Sequence, residues 1–362
     1  MGSVLTVKYR PKKFSEVVGQ AALIQIMKNS IKYDKVNPVY LFFGPFGTGK
    51  TSLARVFAMV LNCLSPVDGE PCTACESCLG IIEGRDRLVT EIDAASNRDV
   101  DSMDVLKEIA SYQVESGRYR VIILDECHML SKFAQSSLLK LLEEPPKNVV
   151  FILVTTDPAN LSETIRSRCM TMQFRKLVAV EIVNALRVIA YHEGSEPSDK
   201  ELYMIARNSN GSLRDAEKVL DMFLQIDDRS PEKLADMLGV LTREDMGLLA
   251  AMLTSGDIVD FSEGIEELQS KGISVEQIHD ATVVLLRDMA MSQVDTEGIL
   301  RYDSTIPWRK LVENVTLSHD VLLGMFMRLL EKRKSKSVVE LEMAYLDISN
   351  HVGLLEVDKD TQ

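Results

Sequence analysis

No stretch of the 362 residues is apolar for long enough to cross a bilayer. The longest clear apolar runs, such as 149–154, are strand length, whereas a spanning helix needs about 20 residues. The first ten residues contain no apolar secretory core. Internal repeats and low-complexity tracts are also missing, and a composition of 46% hydrophobic and 26% charged residues excludes a fibrous or extensively disordered protein. These absences lead us to expect a globular, cytoplasmic protein with no membrane partner, long enough for two or three domains. Positive charge is in deficit as well: 41 Lys and Arg stand against 54 Asp and Glu, a net charge of −13. As a whole-chain figure this argues against nucleic acid, but binding needs only a local patch. Residues 1–60 hold nine basic side chains against two acidic, while residues 196–300 hold nine against twenty-two. Such asymmetry is expected of surfaces with different partners, although a solvated face alone would also produce it.

What is present alternates. Short apolar or β-branched runs at 39–43, 89–92, 121–124, 149–154 and 170–174 are separated by helical patterns, which predicts a parallel sheet with crossover helices. Beyond about 178 the strand signals stop, and apolar residues recur at helical spacing, broken at Gly211, 227–231, Gly256, Gly272 and Pro307. We therefore expect an α/β domain over 1–177, a small helical lid over 178–240 and an all-α domain over 241–362.

Residues 44–51 read Gly-Pro-Phe-Gly-Thr-Gly-Lys-Thr, a G-x-x-x-x-G-K-[ST] phosphate loop between an apolar strand and a helix expected from Ser52. Its glycines allow backbone N–H groups to turn inward around phosphate oxygens, and the helix N-terminus adds its dipole. Gly44, Gly47, Thr48, Gly49, Lys50, Thr51 and Ser52 are thus candidates to bind ATP, with Lys50 on the β/γ-phosphates and Thr51 on Mg²⁺. A second apolar strand ends in Asp125-Glu126. Adjacent acids there suit a second Mg²⁺ position at Asp125 and a general base at Glu126, while a plain helix N-cap is the bland alternative. His128 is read as structural.

Four of the six cysteines, Cys63, Cys72, Cys75 and Cys78, fall within 63–78. Nothing marks the chain as secreted, so disulfides are not expected. The C-x₂-C spacing fits four thiolates on one metal, either structural zinc or an iron–sulfur cluster. Cys127 and Cys169 read as small core residues.

The loop, the acidic pair, Thr155-Thr156, Ser167-Arg168-Cys169, the Leu-Leu-Lys-Leu-Leu-Glu-Glu-Pro-Pro stretch at 138–146 and Gly-Ser-Leu-Arg-Asp at 211–215 together resemble the AAA+ ATPases of the clamp-loader group, in particular its bacterial DNA polymerase III gamma/tau branch. The resemblance covers 4–220 with specific motifs and the helical remainder more loosely. It implies an AAA+ ATPase domain with a zinc-module insertion, a lid and a collar for oligomerisation. It also implies roles: Thr156 as the first sensor of the γ-phosphate, Arg168 as an arginine finger acting in trans, and Arg214 as the second sensor. Tyr9, Arg10, Pro11 and Val18 resemble the segment lining the adenine, and zinc becomes the implied metal of the cysteines. Phe46, Cys127 and Ser136 depart from the usual pattern without removing a catalytic group.

The implied function is loading of a sliding clamp on primer–template DNA, with delta and delta-prime subunits and further copies of this chain as partners. A branch-migration or helicase-type AAA+ motor and an ATP-locked scaffold are the alternatives. The first would carry no such cysteine insertion. The second would not need Lys50, Thr51, Asp125 and Glu126 all intact. Ser96-Asn97-Arg98 and Lys140 are candidate DNA phosphate contacts, though either could be an ordinary surface group. The basic run at 332–336 is read as a solvated helix end.

Overall fold

The structure is a computed structural model describing residues 5–96, 100–112, 114, 118–227, 229–239, 241–255, 258–294 and 327. It divides into two compact units, Met1–Asp227 and Asp228–Gln362. In the first, α1 (Leu5–Lys8) and α2 (Ala21–Lys32) precede β1 (Val39–Phe43), α3 (Lys50–Asn62), α4 (Glu76–Ile82) and β2 (Val89–Asp93). There follow α5 (Val100–Ser111), β3 (Arg120–Asp125), α6 (Lys132–Glu143), β4 (Val149–Thr155), α7 (Glu163–Arg166) and β5 (Met170–Gln173). Three helices complete it: α8 (Ala179–His192), α9 (Asp199–Asn208) and α10 (Leu213–Gln225).

The strands form one five-stranded sheet in the order β2-β3-β4-β1-β5, with every pairing parallel. A parallel sheet needs cover on both faces, and the side-chain period of two supplies it. Tyr40, Phe42, Val121, Ile123, Val150 and Ile152 point to one core with Met27, Leu53 and Phe57. Val39, Leu41, Ile122, Leu124, Phe151 and Leu153 point to the other with Leu106, Leu138 and Ile165. All seven residues of β4 are buried, whereas β2, at an edge, is only partly so. Because the strands are parallel, their carboxyl ends share one edge, where ligands of open α/β sheets bind.

α8, α9 and α10 pack on one another, and α1 packs on α10. The interior of this helical part includes Leu186, Leu202, Leu220 and Phe223. Ser212 starts α10, its hydroxyl accepting from the Asp215 N–H at 3.2 Å.

The second unit contains α11 (Pro231–Leu238), α12 (Arg243–Ser255), α13 (Ile258–Ser270) and α14 (Val275–Val294). α12 packs on α13 and α14. Gly264 gives that pairing its close approach, since a Cβ there would overlap the Met252 side chain. The segment 231–238, expected with the lid, groups with the helices that follow it. Gly256, Pro307 and the basic run 332–336 lie outside the described residues. Among the described residues, no helix is long and apolar enough to cross a membrane.

Phe151 is fully buried at the centre of the sheet. Phe151→Ala should destabilise the protein by about 3–5 kcal/mol through lost burial and the cavity left behind. Urea denaturation checks this, and an unchanged midpoint would contradict the packing.

Candidate functional site

The chain leaves β1 and must reverse before α3 begins. Gly44 (φ +144°) passes so close to the Phe174 carbonyl that a Cβ would collide with it. Gly47 (φ +71°) lies against Ser212, whose Oγ would overlap a Cβ there. Its carbonyl accepts from the Leu213 N–H at 3.1 Å, so the start of α10 sits directly on the loop. The helix opens at Lys50 rather than Ser52, because Gly49 in the left-handed region already caps it.

Lys50 is buried and folds back over the loop, its Nζ donating to the carbonyls of Gly44 (2.9 Å) and Pro45 (2.8 Å). The Thr48 hydroxyl donates to the same Pro45 carbonyl at 2.8 Å. Burial lowers the Lys50 pKa, against the opposing charges of Glu126 and Asp125. Thr51 Oγ1 donates to Asp125 Oδ2 at 2.8 Å. Two candidate Mg²⁺ ligands that are 74 residues apart in sequence are therefore in contact. The other Asp125 oxygen accepts from the Glu126 N–H at 2.9 Å. Glu126 itself is left-handed (φ +49°). Its Oε2 is buried without a hydrogen bond, and His128 Nδ1 stands 3.4 Å away.

At the end of β4 it is Thr155 that is fully buried. Its Oγ1 lies 3.0 Å from His128 Nδ1 and accepts from the Asp157 N–H at 3.0 Å. Thr156 follows the strand and is half-buried. Arg214 lies on the first turn of α10 with Cζ 5.2 Å from the centre of the Phe46 ring, a cation–π contact that a loop position filled by Phe makes possible. Glu217, one turn further on, is buried, and its pKa rises to about 7 through desolvation, opposed by Arg10 and Arg214. The Arg10 pKa is lowered, by burial first and by Arg55 next, with Glu91 opposing. Arg55 makes a paired contact with that Glu91 at 2.6 and 2.7 Å. Neither Phe46 as a platform nor Glu217 was legible as a site residue. The available signal was the helical i, i+3 spacing of Arg214 and Glu217.

The amino-terminal segment reaches the site from the side. The Tyr9 hydroxyl donates to Glu193 at 2.6 Å and its ring stacks on His192, at the end of α8. Pro11 and Val18 are half-buried. Gln20 is hooked to the Arg175 backbone in both directions, at 2.8 and 3.2 Å. Arg168 is turned elsewhere: it donates to the Thr164 carbonyl (2.8 Å) and to Glu143 (2.7 Å). Ser96 donates to Asp93 at 2.9 Å, Lys140 is exposed, and Asn97 and Arg98 lie outside the described residues.

The cysteines converge. Cys63 follows α3, Cys75 caps α4 and Cys78 lies within it, and the four Sγ atoms lie within 4.8 Å of one another. The Cys72 N–H donates to Cys63 Sγ at 3.2 Å and the Cys75 N–H to Cys72 Sγ at 3.3 Å. Backbone N–H donation from Ala74, with Ser65 and Cys75, pulls the Cys72 thiol down to about 5. This donor set fits one tetrahedral thiolate-bound metal. Between the first two cysteines, Glu70 accepts from the Phe14 and Ser15 N–H groups (2.7 and 3.1 Å) and from Lys28 (2.6 Å). The module is thereby tied to the amino-terminal segment. Cys127 is buried and Cys169 half-buried; burial raises the Cys127 thiol pKa and pushes that of Cys169 up to about 12.

Residues 19–178 match the family described as "DNA polymerase III, delta subunit". The tau subunit of DNA polymerase III from Bacillus subtilis is 36% identical over 315 residues, 85% of this chain and 55% of that protein. The gamma subunit of Buchnera aphidicola subsp. Baizongia pistaciae is 31% identical over 293 residues, 80% of this chain and 79% of that one. This chain thus spans about half the length of the Bacillus tau subunit. A mutant form of Thermotoga maritima RuvB superposes with a TM-score of 0.50 at 19% identity, over 68% of this chain and 80% of that one, which shows the shared AAA+ fold. By its similarity over most of the length of both this chain and the gamma subunit, the protein belongs to the gamma/tau subunit family of DNA polymerase III.

Proposed function

We propose that this chain is an ATPase motor subunit of the bacterial replicative clamp loader, using ATP to open a sliding clamp and load it on primed DNA. The observation carrying the proposal is the joining of Thr51 to Asp125 at 2.8 Å beside a buried Lys50 on a glycine loop. In this reading Gly44, Gly47, Thr48, Gly49 and Ser52 bind the phosphates with Lys50, whose ammonium exchanges loop carbonyls for phosphate oxygens. Thr51 and Asp125 hold Mg²⁺, which supplies charge neutralisation at the phosphates when bound. Glu126 is the general base, and Thr156 and Arg214 sense the γ-phosphate. Tyr9, Arg10, Pro11 and Val18 line the base.

Arg168 serves the neighbouring subunit, a role supported by its bonds to Glu143 and Thr164 rather than to this chain's own loop. Cys63, Cys72, Cys75 and Cys78 hold a structural zinc. Residues 1–177 form the ATPase domain, 178–227 the lid, and the second compact unit, 228–362, the collar. The partners are delta and delta-prime subunits, other copies of this chain, the clamp and primer–template DNA, in the cytoplasm. The tau and gamma relatives disfavour the branch-migration reading, since the RuvB likeness reaches only to the fold.

Reconstitution with delta, delta-prime and clamp tests the proposal: ATP turnover should rise on addition of primed DNA, and the absence of any stimulation would sink it. Lys50→Ala should abolish binding of a fluorescent ATP analogue, with binding at wild-type strength the contrary result. Arg168→Ala should bind ATP normally yet lose about 10³-fold or more of DNA-stimulated hydrolysis in the complex; full activity there would remove its role in trans. Elemental analysis should find about one zinc per chain. Iron with visible absorbance, or no metal, would contradict the cysteine assignment.

A further inference from the structure

His128 stands between Glu126, the base of the proposed reaction, and the strand-end hydroxyl of Thr155. Its side chain is 17% exposed, and Nδ1 is the nitrogen facing both neighbours, Thr155 Oγ1 at 3.0 Å and Glu126 Oε2 at 3.4 Å. Thr155 is itself immobilised: it ends the central, fully buried strand, and its hydroxyl oxygen also accepts from the Asp157 N–H. Glu126 has the opposite character. Its left-handed backbone is an unusual conformation for a residue with a Cβ, and a surrounding structure must hold it there. Oε2 has no hydrogen bond and no solvent, so the 31% exposure of the side chain lies on its other atoms. A buried carboxylate oxygen without a hydrogen bond is costly, and His128 Nδ1 stands 3.4 Å from it.

We propose that His128 is a positioning residue for Glu126: anchored by Thr155 at the end of β4, its Nδ1 sets the direction in which the Glu126 carboxylate faces the nucleotide site. This rests on the reading of the chain as an ATPase with Glu126 as base. A base acts only within hydrogen-bond reach of the proton it takes, so a carboxylate swinging about its Cβ loses rate without loss of substrate binding. Because Thr155 and Glu126 share one nitrogen, a Thr155 hydroxyl donating to Nδ1 leaves Oε2 unpaired. An Nδ1–H, by contrast, is available to both oxygens. The end of the central strand is thereby linked to the catalytic carboxylate through one imidazole atom.

The test separates the two ring nitrogens in the full chain. Asn places its amide near the position of Nδ1, and Gln places it near Nε2. His128→Asn should keep kcat within about threefold of wild type, whereas His128→Gln and His128→Ala should lose about 10- to 100-fold. KM and the affinity for a fluorescent ATP analogue should stay within about threefold in all of them, the mark of an interaction felt in the transition state alone. Thr155→Val should lower kcat in the same direction, and Thr155→Ser should restore it. A His128→Gln variant as active as wild type, or His128→Asn as impaired as His128→Gln, overturns the proposal. The Asn and Gln comparison stands even if His128→Ala fails to fold. A wild-type chain that turns over no ATP, with or without primed DNA, overturns the ATPase reading itself and the role of His128 with it.

Discussion

Between Phe43 and Lys50 the backbone has to reverse direction at the carboxyl edge of a buried sheet while leaving room for a ligand. Gly44, Gly47 and Gly49 all take positive φ there, and two of them are also in van der Waals contact that a Cβ would prevent. With this turn in place, α3 starts at Lys50, the ammonium is buried against loop carbonyls, and Thr51 reaches Asp125 at the end of β3. The same turn lets the first residues of α10 approach Gly47, which brings Arg214 over Phe46. Backbone conformation at three glycines is therefore the constraint from which the rest of the site follows.

Electrostatically the site holds its ions partly buried and close together. Lys50 faces Asp125 and Glu126, and desolvation works against its charge. Arg10 loses ground to burial and to Arg55, while Glu217 is pushed towards neutrality and opposed by Arg10 and Arg214. Burial thus works against the charge of Lys50, Arg10 and Glu217 alike, a pattern that clusters at functional sites. It also gives local meaning to the uneven charge of the chain: part of the basic front, Arg10, Lys50 and Arg55, is gathered around the site, whatever the total of −13.

Much of this was legible in order along the chain. The five strands were readable because β-branched runs on a doubly covered sheet need no tertiary context to be recognised. The glycine-rich turn and the cysteine spacing were readable because local geometry dictates their residue types. Contacts across the sheet were not. Thr156 was the residue singled out after β4; the contact of Thr155, the last residue of the strand, with His128 had no signal in the sequence, because it joins two segments 27 residues apart. Nor did helical spacing assign 231–238, whose grouping with the second unit rests on packing.

What the sequence alone determined is the element order, the glycine-rich loop that can turn, the acids placed at a strand end, and a metal-capable set of thiols. Each is a property of residues close together in the chain, where propensity, φ range and ligand spacing act directly. Only the tertiary structure decided that Thr51 touches Asp125, that Arg214 lies over Phe46, that Glu217 is buried beside two arginines, and that Glu126 shares His128 with Thr155. Those pairs come from different elements. Their meeting depends on strand order and on helix packing, which no local pattern encodes.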